Sequence, residues 1–257
     1  MIKAKKHLGQ NFLKNQGIID KIIETANLKK TDTVLEIGPG LGILTTSLAK
    51  HTKKVIAIEL DHSLIPILKE NLKKSLDEKD LNKVEIINAD ALLYSPEHEL
   101  ETPTSNYKIV ANIPYYITSP LITHFLNLKN PPKTITLLVQ KEVAEKICAR
   151  TPSHPKQKHS ILSLLTQLYA KPTFAFVVGK GNFTPEPKVD SAVIHLSFLS
   201  AKEKPKEPQK ILSLAKRAFS GKRKKLSNTL RGINLPDDLK DLRPEDLSIK
   251  DWEKLTS

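Results

Sequence analysis

A chain of 257 residues is long enough to bury a full core and to hold one large domain beside a small one. Its formal charge of +13 and pI near 9.6 point to a polyanionic partner. The single cysteine, Cys148, excludes an intrachain disulfide and a cysteine-rich metal site. No apolar run approaches the length that crosses a bilayer, and the first thirty residues lack a continuous apolar leader core, so a soluble, cytoplasmic protein is expected.

The charge is unevenly spread. Residues 1–30 carry a net +5 and residues 202–231 a net +9, whereas 31–201 carry only +2 and the tail 232–257 carries −3. Basic segments flanking a near-neutral core fit nucleic-acid binding better than general solubility.

Along the chain, Lys3 to Lys14 is basic and without period, with HLGQNFL at its centre. Apolar positions 18, 19, 22, 23 and 26 then mark an amphipathic helix. The stretch TVLEIGPGLG, Thr33 to Gly42, reads as a short apolar strand followed by a glycine turn, and a helix runs from Ile43 to Lys50. The strand Val55 to Ile58 ends in Glu59. Leu64, Ile65, Leu68 and Leu72 make a helical face in which Pro66 is tolerated only in the first turn. Strands follow at Val84 to Ile87, just before Asp90, and at Tyr107 to Ala111, just before NIPYYITSP.

A helix from Leu121 to Leu126 leads to a strand from Thr134 to Val139. Alternation of strand and helix predicts a parallel, doubly wound α/β sheet. Helices are expected at 141–149, with Cys148 as a small core residue, and at 161–169. The strands 174–178 and 192–198 have no long helix between them and are expected as an antiparallel hairpin at the sheet edge. The charged, proline-bearing KEKPKEP at Lys202 cannot pack a core and marks a domain boundary. Beyond it, Ile211 to Phe219 and Leu226 to Leu230 read as helices, and Pro236 and Pro244 as starts of further short ones.

The chemistry gathers at the ends of the strands. Glycines at 38, 40 and 42 let the backbone turn sharply and approach a ligand, and the helix that follows offers unpaired N–H groups. Glu59 lies about 20 residues beyond the first glycine, where a carboxylate can accept hydrogen bonds from ribose hydroxyls. The spacing is G-x-G-x-G, not the dinucleotide pattern, because Ile43 stands where the third glycine is required. The turn resembles the S-adenosylmethionine site of Rossmann-like methyltransferases. Asp90 is either a turn aspartate or the acceptor of an adenine amine, and its company favours the second.

Asn112-Ile113-Pro114-Tyr115 resembles the catalytic turn of the amino-methyltransferases. An adenine amine is a poor nucleophile because its lone pair is delocalised into the ring. Two acceptors, the Asn112 side-chain oxygen and the Ile113 carbonyl, would draw its hydrogens out of conjugation and stabilise the arriving positive charge. Pro114 keeps the turn rigid and Tyr115 offers a face to an extruded base.

With these motifs the chain resembles the ribosomal RNA adenine dimethyltransferases over nearly its whole length, and most closely their bacterial small-subunit branch. Gly9-Gln10-Asn11-Phe12-Leu13 matches the amino-terminal motif, whose Asn11 and Leu13 positions contact the cofactor. Glu36 to Gly40 matches the cradle, Glu59 and Asp90 the ribose and adenine positions, and Asn112 to Tyr115 the catalytic turn. FTPEPKVDS, Phe183 to Ser191, matches a signature whose aromatic helps sandwich the target base.

The resemblance implies a seven-stranded, Rossmann-like class I methyltransferase domain at 1–201, with a basic segment at 1–30, and a small all-α, RNA-contacting domain at 202–257. It implies S-adenosylmethionine as cofactor and no metal. It also implies N6,N6-dimethylation of two adjacent adenines in the 3′-terminal hairpin of 16S rRNA, within a small-subunit precursor, by a monomer. GKRKKLSNTLRG matches the carboxy-terminal motif, so Lys222, Arg223, Lys224, Lys225 and Arg231, with Lys216 and Arg217, are expected to meet phosphates. The alternatives are a large-subunit (23S) adenine methyltransferase of the macrolide-resistance type and an RNA-binding assembly factor. Tyr116 stands where relatives often carry Asn. His159-Ser160 stands where many carry Tyr-Gly, and His159 is expected on a surface loop.

Overall fold

A computed structural model describes residues 5, 8–96, 107–221 and 223–256 of the chain. In chain order the elements begin with β1 (Phe12–Leu13), α1 (Gln16–Ala26), β2 (Thr33–Ile37), α2 (Ile43–His51), β3 (Lys54–Glu59), α3 (Ile65–Ser75), α4 (Glu78–Leu81), β4 (Val84–Asn88) and β5 (Tyr107–Asn112). They continue with α5 (Thr118–Leu126), β6 (Thr134–Gln140), α6 (Lys141–Ile147), α7 (Ile161–Tyr169), β7 (Ala170–Val178), β8 (Phe183–Thr184) and β9 (Ser191–Phe198). The last are α8 (Pro208–Phe219), α9 (Leu226–Thr229) and α10 (Ile249–Lys254).

Seven strands form one sheet in the order β4-β3-β2-β5-β6-β9-β7, and β1 pairs separately with β8. β2 runs parallel to β3 and to β5, β3 to β4, and β5 to β6. Central strands covered on both faces need apolar residues in succession, and Val34, Leu35 and Ile37 in β2 and Val55 to Ile58 in β3 are all buried. The edge strand β4 is only partly covered. Because β2 is followed in one direction by β3 and in the other by β5, the strand order reverses there, and a crevice opens at the carboxyl ends. Local signals agree with this frame: Pro66 falls in the first turn of α3, and Asn27 closes α1 in the left-handed region at φ 46°.

Three expectations differ in detail. β7 and β9 are neighbours with β7 outermost, but a 3-10 turn and β8 intervene between them in the chain. At Pro236 there is a turn rather than a helix, closed by Leu239 N donating to Pro236 O at 3.0 Å. His159 is buried, not on a surface loop. Its backbone N donates to the Glu245 carbonyl at 3.1 Å, and its Nδ1 lies 3.2 Å from Ser163 Oγ. Burial, aided by the charge of Arg150, pulls its pKa down to about 4. Cys148 follows α6 and is fully buried, which pushes its thiol up to about 12.

The chain groups into two compact units, Met1–Lys141 with Ala175–Leu196, and Glu142–Phe174 with Ser197–Ser257. The first buries α1, α2 and α3 against the sheet through Ile19, Ile22, Leu48, Leu68 and Leu72. In the second, α7, α8 and α10 pack together, with Trp252 fully buried and its ring stacked on Phe219 at 6.3 Å. A Ser248–Asp251 capping box starts α10. Trp252→Ala is expected to remove about 3–5 kcal/mol from this unit, seen as a lowered urea midpoint in far-UV circular dichroism.

Candidate active site

A cavity of about 180 Å³ opens at the carboxyl ends of β2, β3, β4 and β5. The register places Ile37 beside Ile58, and Glu59 beside Asn88, so the loops that leave these strands meet there. Its lining includes Asn11, Leu13, Gly38, Gly40, Glu59, Asp90, Asn112, Ile113, Pro114 and Tyr115. All of these were expected in the site from the sequence.

The glycine turn is built as its composition requires. Gly38, Gly40 and Gly42 have φ of 67°, 56° and 89°, a region that side-chain-bearing residues rarely adopt. A Cβ on Gly40 would lie 3.0 Å from the Phe12 ring, and one on Gly42 would lie 2.7 Å from Leu68. Asn71 Nδ2 donates to Leu41 O at 3.0 Å and holds the outer side of the loop. Glu59, at the end of β3, is buried and accepts from Gly40 N at 3.1 Å and from Asp61 N at 2.8 Å. Each carboxylate oxygen keeps a further lone pair. Burial raises its pKa, reinforced by the charge of Asp61 and opposed by the backbone N–H groups of Asp61, Gly40 and Leu60. Asp90 is half-buried, and its Oδ1 accepts from Leu92 N at 2.9 Å.

On the opposite wall, Asn112 Nδ2 donates to the Asn11 carbonyl at 3.2 Å. Its Oδ1 accepts no hydrogen bond among the described residues. Pro114 starts a 3-10 turn in which Ile117 N donates to its carbonyl at 3.2 Å, and this turn presents Tyr115 and Tyr116 to the cavity.

Phe183, expected beside the target base, sits in the small sheet that β1 forms with β8. It is 2% exposed, pairs with Leu13 across β1 and β8, belongs to the core, and does not line the cavity. Of the expected RNA contacts, Lys222 lies outside the described residues. Arg223, Lys224 and Arg231 are exposed, and Lys225 is paired with Asp241 at 2.9 Å.

Two carboxylates matter more than the sequence reading assigned. Glu36, the penultimate residue of β2, is 1% exposed, lines the cavity, and has an Oε2 without a hydrogen-bond partner. Burial raises its pKa to about 8, opposed by the nearby Thr45 hydroxyl and reinforced by the charge of Glu59. A charged residue inside the run Val34-Leu35-Glu36-Ile37 was the available signal. Asp61, 4% exposed, gathers Lys5 Nζ at 2.7 Å, Gln10 Nε2 at 3.0 Å and Ser63 Oγ at 2.6 Å, and thereby ties the amino-terminal segment beside the cavity. Nothing local marks the pairing with Lys5.

Among the described residues, three carboxylates, Glu36, Glu59 and Asp90, and no Lys or Arg line the cavity of a protein whose net charge is +13. The site is therefore suited to a cationic ligand that brings ribose- and amine-type donors, and unsuited to a pyrophosphate. The raised pKa of Glu36 has a consequence for stability. Between its ordinary value of 4.5 and about 8, the unfolded chain has released the proton that the folded chain keeps, so Glu36 lowers stability as pH rises through that window. Glu36→Gln should remove this loss, stabilising the protein more at pH 8 than at pH 5 in paired urea titrations.

Comparison with known proteins gives the same direction. A family model described as ribosomal RNA adenine dimethylase matches residues 1–251. A ribosomal RNA small subunit methyltransferase A from Dehalococcoides mccartyi is 40% identical over 268 residues, covering 99% of this chain and 88% of the relative. One from Clostridium botulinum is 38% identical, covering 99% and 93%. Among solved structures, a dimethyladenosine transferase from Plasmodium falciparum superposes with a TM-score of 0.77 at 30% identity, covering 95% of both chains. The 23S rRNA methyltransferase ErmE superposes with 0.74 at 28%, covering 95% and 98%. The match across residues 1–251, together with the glycine turn, Glu59 and the Asn112–Tyr115 turn around one acidic cavity, places the chain in the ribosomal RNA adenine dimethylase family.

Proposed function

We propose that this chain transfers methyl groups from S-adenosylmethionine to the exocyclic nitrogens of two adjacent adenines in the 3′-terminal hairpin of 16S rRNA, acting as a monomer in the cytoplasm on a small-subunit precursor. The acidic cavity carries this reading, because it suits a sulfonium donor with a cationic ammonium group. The small-subunit assignment is supported by relatives at 40% and 38% identity, against 28% for the 23S enzyme.

The residues present fit the cofactor. The buried Oε2 of Glu36 has no hydrogen-bond partner within the protein and could meet a polar group of the ligand, and the packed Gly40 leaves no side chain in the cradle. Glu59 would hold the ribose hydroxyls with its remaining lone pairs, Asp90 the adenine amine, and Asn11, Leu13 and Gly38 the walls around them. When bound, S-adenosylmethionine supplies a methyl group on a sulfonium, which is already an activated leaving group.

The chain's own part is to place and polarise the amine. The Asn112 Nδ2 bond to Asn11 O turns Oδ1 away from the amino-terminal segment and leaves it free to accept. With the Ile113 carbonyl it would take both amine hydrogens, raising the density on nitrogen and stabilising the charge that develops there. Tyr115 would stack on the extruded base. Phe183, buried as the strand partner of Leu13, supports the cavity wall in this assignment.

Asn112→Ala should lower transfer at least about a hundredfold with tritiated cofactor and unmodified small subunits, while cofactor affinity stays within a few-fold. Mapping the label on those subunits tests the substrate: label outside the 3′-terminal hairpin, or none, refutes it. The domain at 202–257 is assigned to phosphate contact through Lys222, Arg223, Lys224, Lys225 and Arg231. Arg223→Ala and Lys224→Ala should each weaken RNA binding and reduce the salt dependence by about one unit of slope. Lys225→Ala should do less, because Asp241 already compensates its charge.

A further inference from the structure

Tyr115 is half-buried, and its hydroxyl is not left to solvent. Tyr115 Oη and Ser191 Oγ share a hydrogen bond of 2.6 Å across 76 positions of sequence. Ser191 is fully buried and is the first residue of β9, which lies next to β6 in the sheet. The residue before it is fixed on two sides. Asp190 Oδ1 accepts from Lys180 N at 3.0 Å, and Asp190 O accepts from Lys141 N at 3.0 Å. Ser191 is thus a post set in the sheet, while Tyr115 sits on a short 3-10 turn that has no sheet partner of its own.

A tyrosine ring has two torsions. A bond at Oη lies on the ring axis, so it does not stop the ring rotating about that axis. It does fix where the axis points, and packing then selects the plane. For a residue whose task is to offer a face at a set distance from Asn112 Oδ1 and the Ile113 carbonyl, the direction of the axis is the quantity that matters. Burial raises the Tyr115 pKa above its ordinary value, so the phenol stays neutral and able to donate.

We propose that Ser191 is a positioning residue for methyl transfer: through its hydroxyl it anchors the ring of Tyr115 at the angle that aligns the target adenine with the Asn112–Ile113 acceptors. The inference rests on the reading that Tyr115 stacks on that base. Reacting groups misplaced by about 1 Å lose on the order of a hundredfold in rate, and loss of one anchoring bond displaces the ring by less, so an effect of roughly tenfold is expected.

The test is a double-mutant cycle on turnover with unmodified small subunits, with cofactor affinity and the thermal midpoint measured in parallel. Ser191→Ala and Tyr115→Phe should each lower kcat roughly tenfold, leave cofactor affinity within twofold, and give no further loss when combined, since both delete one bond. Tyr115→Phe removes that bond without touching β9, so it decides the matter even where Ser191→Ala folds poorly. Wild-type turnover in Tyr115→Phe, multiplication of the two effects in the double variant, or a weakened cofactor site in Ser191→Ala would each overturn the proposal. Failure of the stacking reading is seen separately: Tyr115→Ala would then turn over as the wild type does. If only the anchoring idea is wrong, Tyr115→Ala is impaired while Tyr115→Phe is not.

Discussion

At the carboxyl end of β3, two carboxylates two residues apart organise both sides of the cavity. Glu59 reaches across to the backbone N–H of Gly40 and so fixes the glycine turn of the neighbouring strand. Asp61 turns the other way and gathers Lys5, Gln10 and Ser63, which brings the amino-terminal segment to the rim. The charged hydrogen bonds from Lys5, Gln10 and Ser63 hold its carboxyl well below the usual range despite burial. One strand end thus determines the shape of the cradle and the position of Lys5 and Gln10 beside it. Asn112, donating to Asn11 O, ties the same segment to the catalytic turn.

The electrostatics of the cavity run against those of the molecule. A net +13 draws a polyanion, yet the cavity is lined by Glu36, Glu59 and Asp90. The two signs serve different ligands. Long-range basic charge favours approach of nucleic acid and falls away with salt, whereas buried carboxylates act over a few ångströms and are little screened. Among the described residues no Lys or Arg lines the cavity, so no fixed cation there repels a positively charged ligand. Glu36 differs from the other two: its complete burial raises its pKa to about 8, so it stays protonated at neutral pH.

The second compact unit is built by different means. Its helices pack around Trp252, and its charged residues make surface pairs such as Lys158 with Glu245 and Lys225 with Asp241, which contribute little to stability. Ser160 caps α7, its Oγ accepting from Ser163 N, and the buried His159 places its Nδ1 3.2 Å from Ser163 Oγ. Those two positions are therefore part of the unit's packing. Among the described residues, no helix is long and apolar enough to cross a membrane.

Much of this was legible in the sequence. The alternation of strand and helix, the glycine turn with Glu59 at its distance, Asp90 after a strand and the Asn112–Tyr115 turn are all local patterns, because backbone sterics and strand ends act over a few residues. Tertiary structure alone decided four things: that Glu36 is an orphaned acid, that Asp61 grips Lys5 and Gln10, that Ser191 meets Tyr115, and that Phe183 and His159 are buried. Each depends on residues that folding brings together: Gln10 and Asp61 are 51 positions apart, and Tyr115 and Ser191 are 76 apart. No periodicity or spacing encodes such a meeting. It exists only once the sheet order has been set by packing.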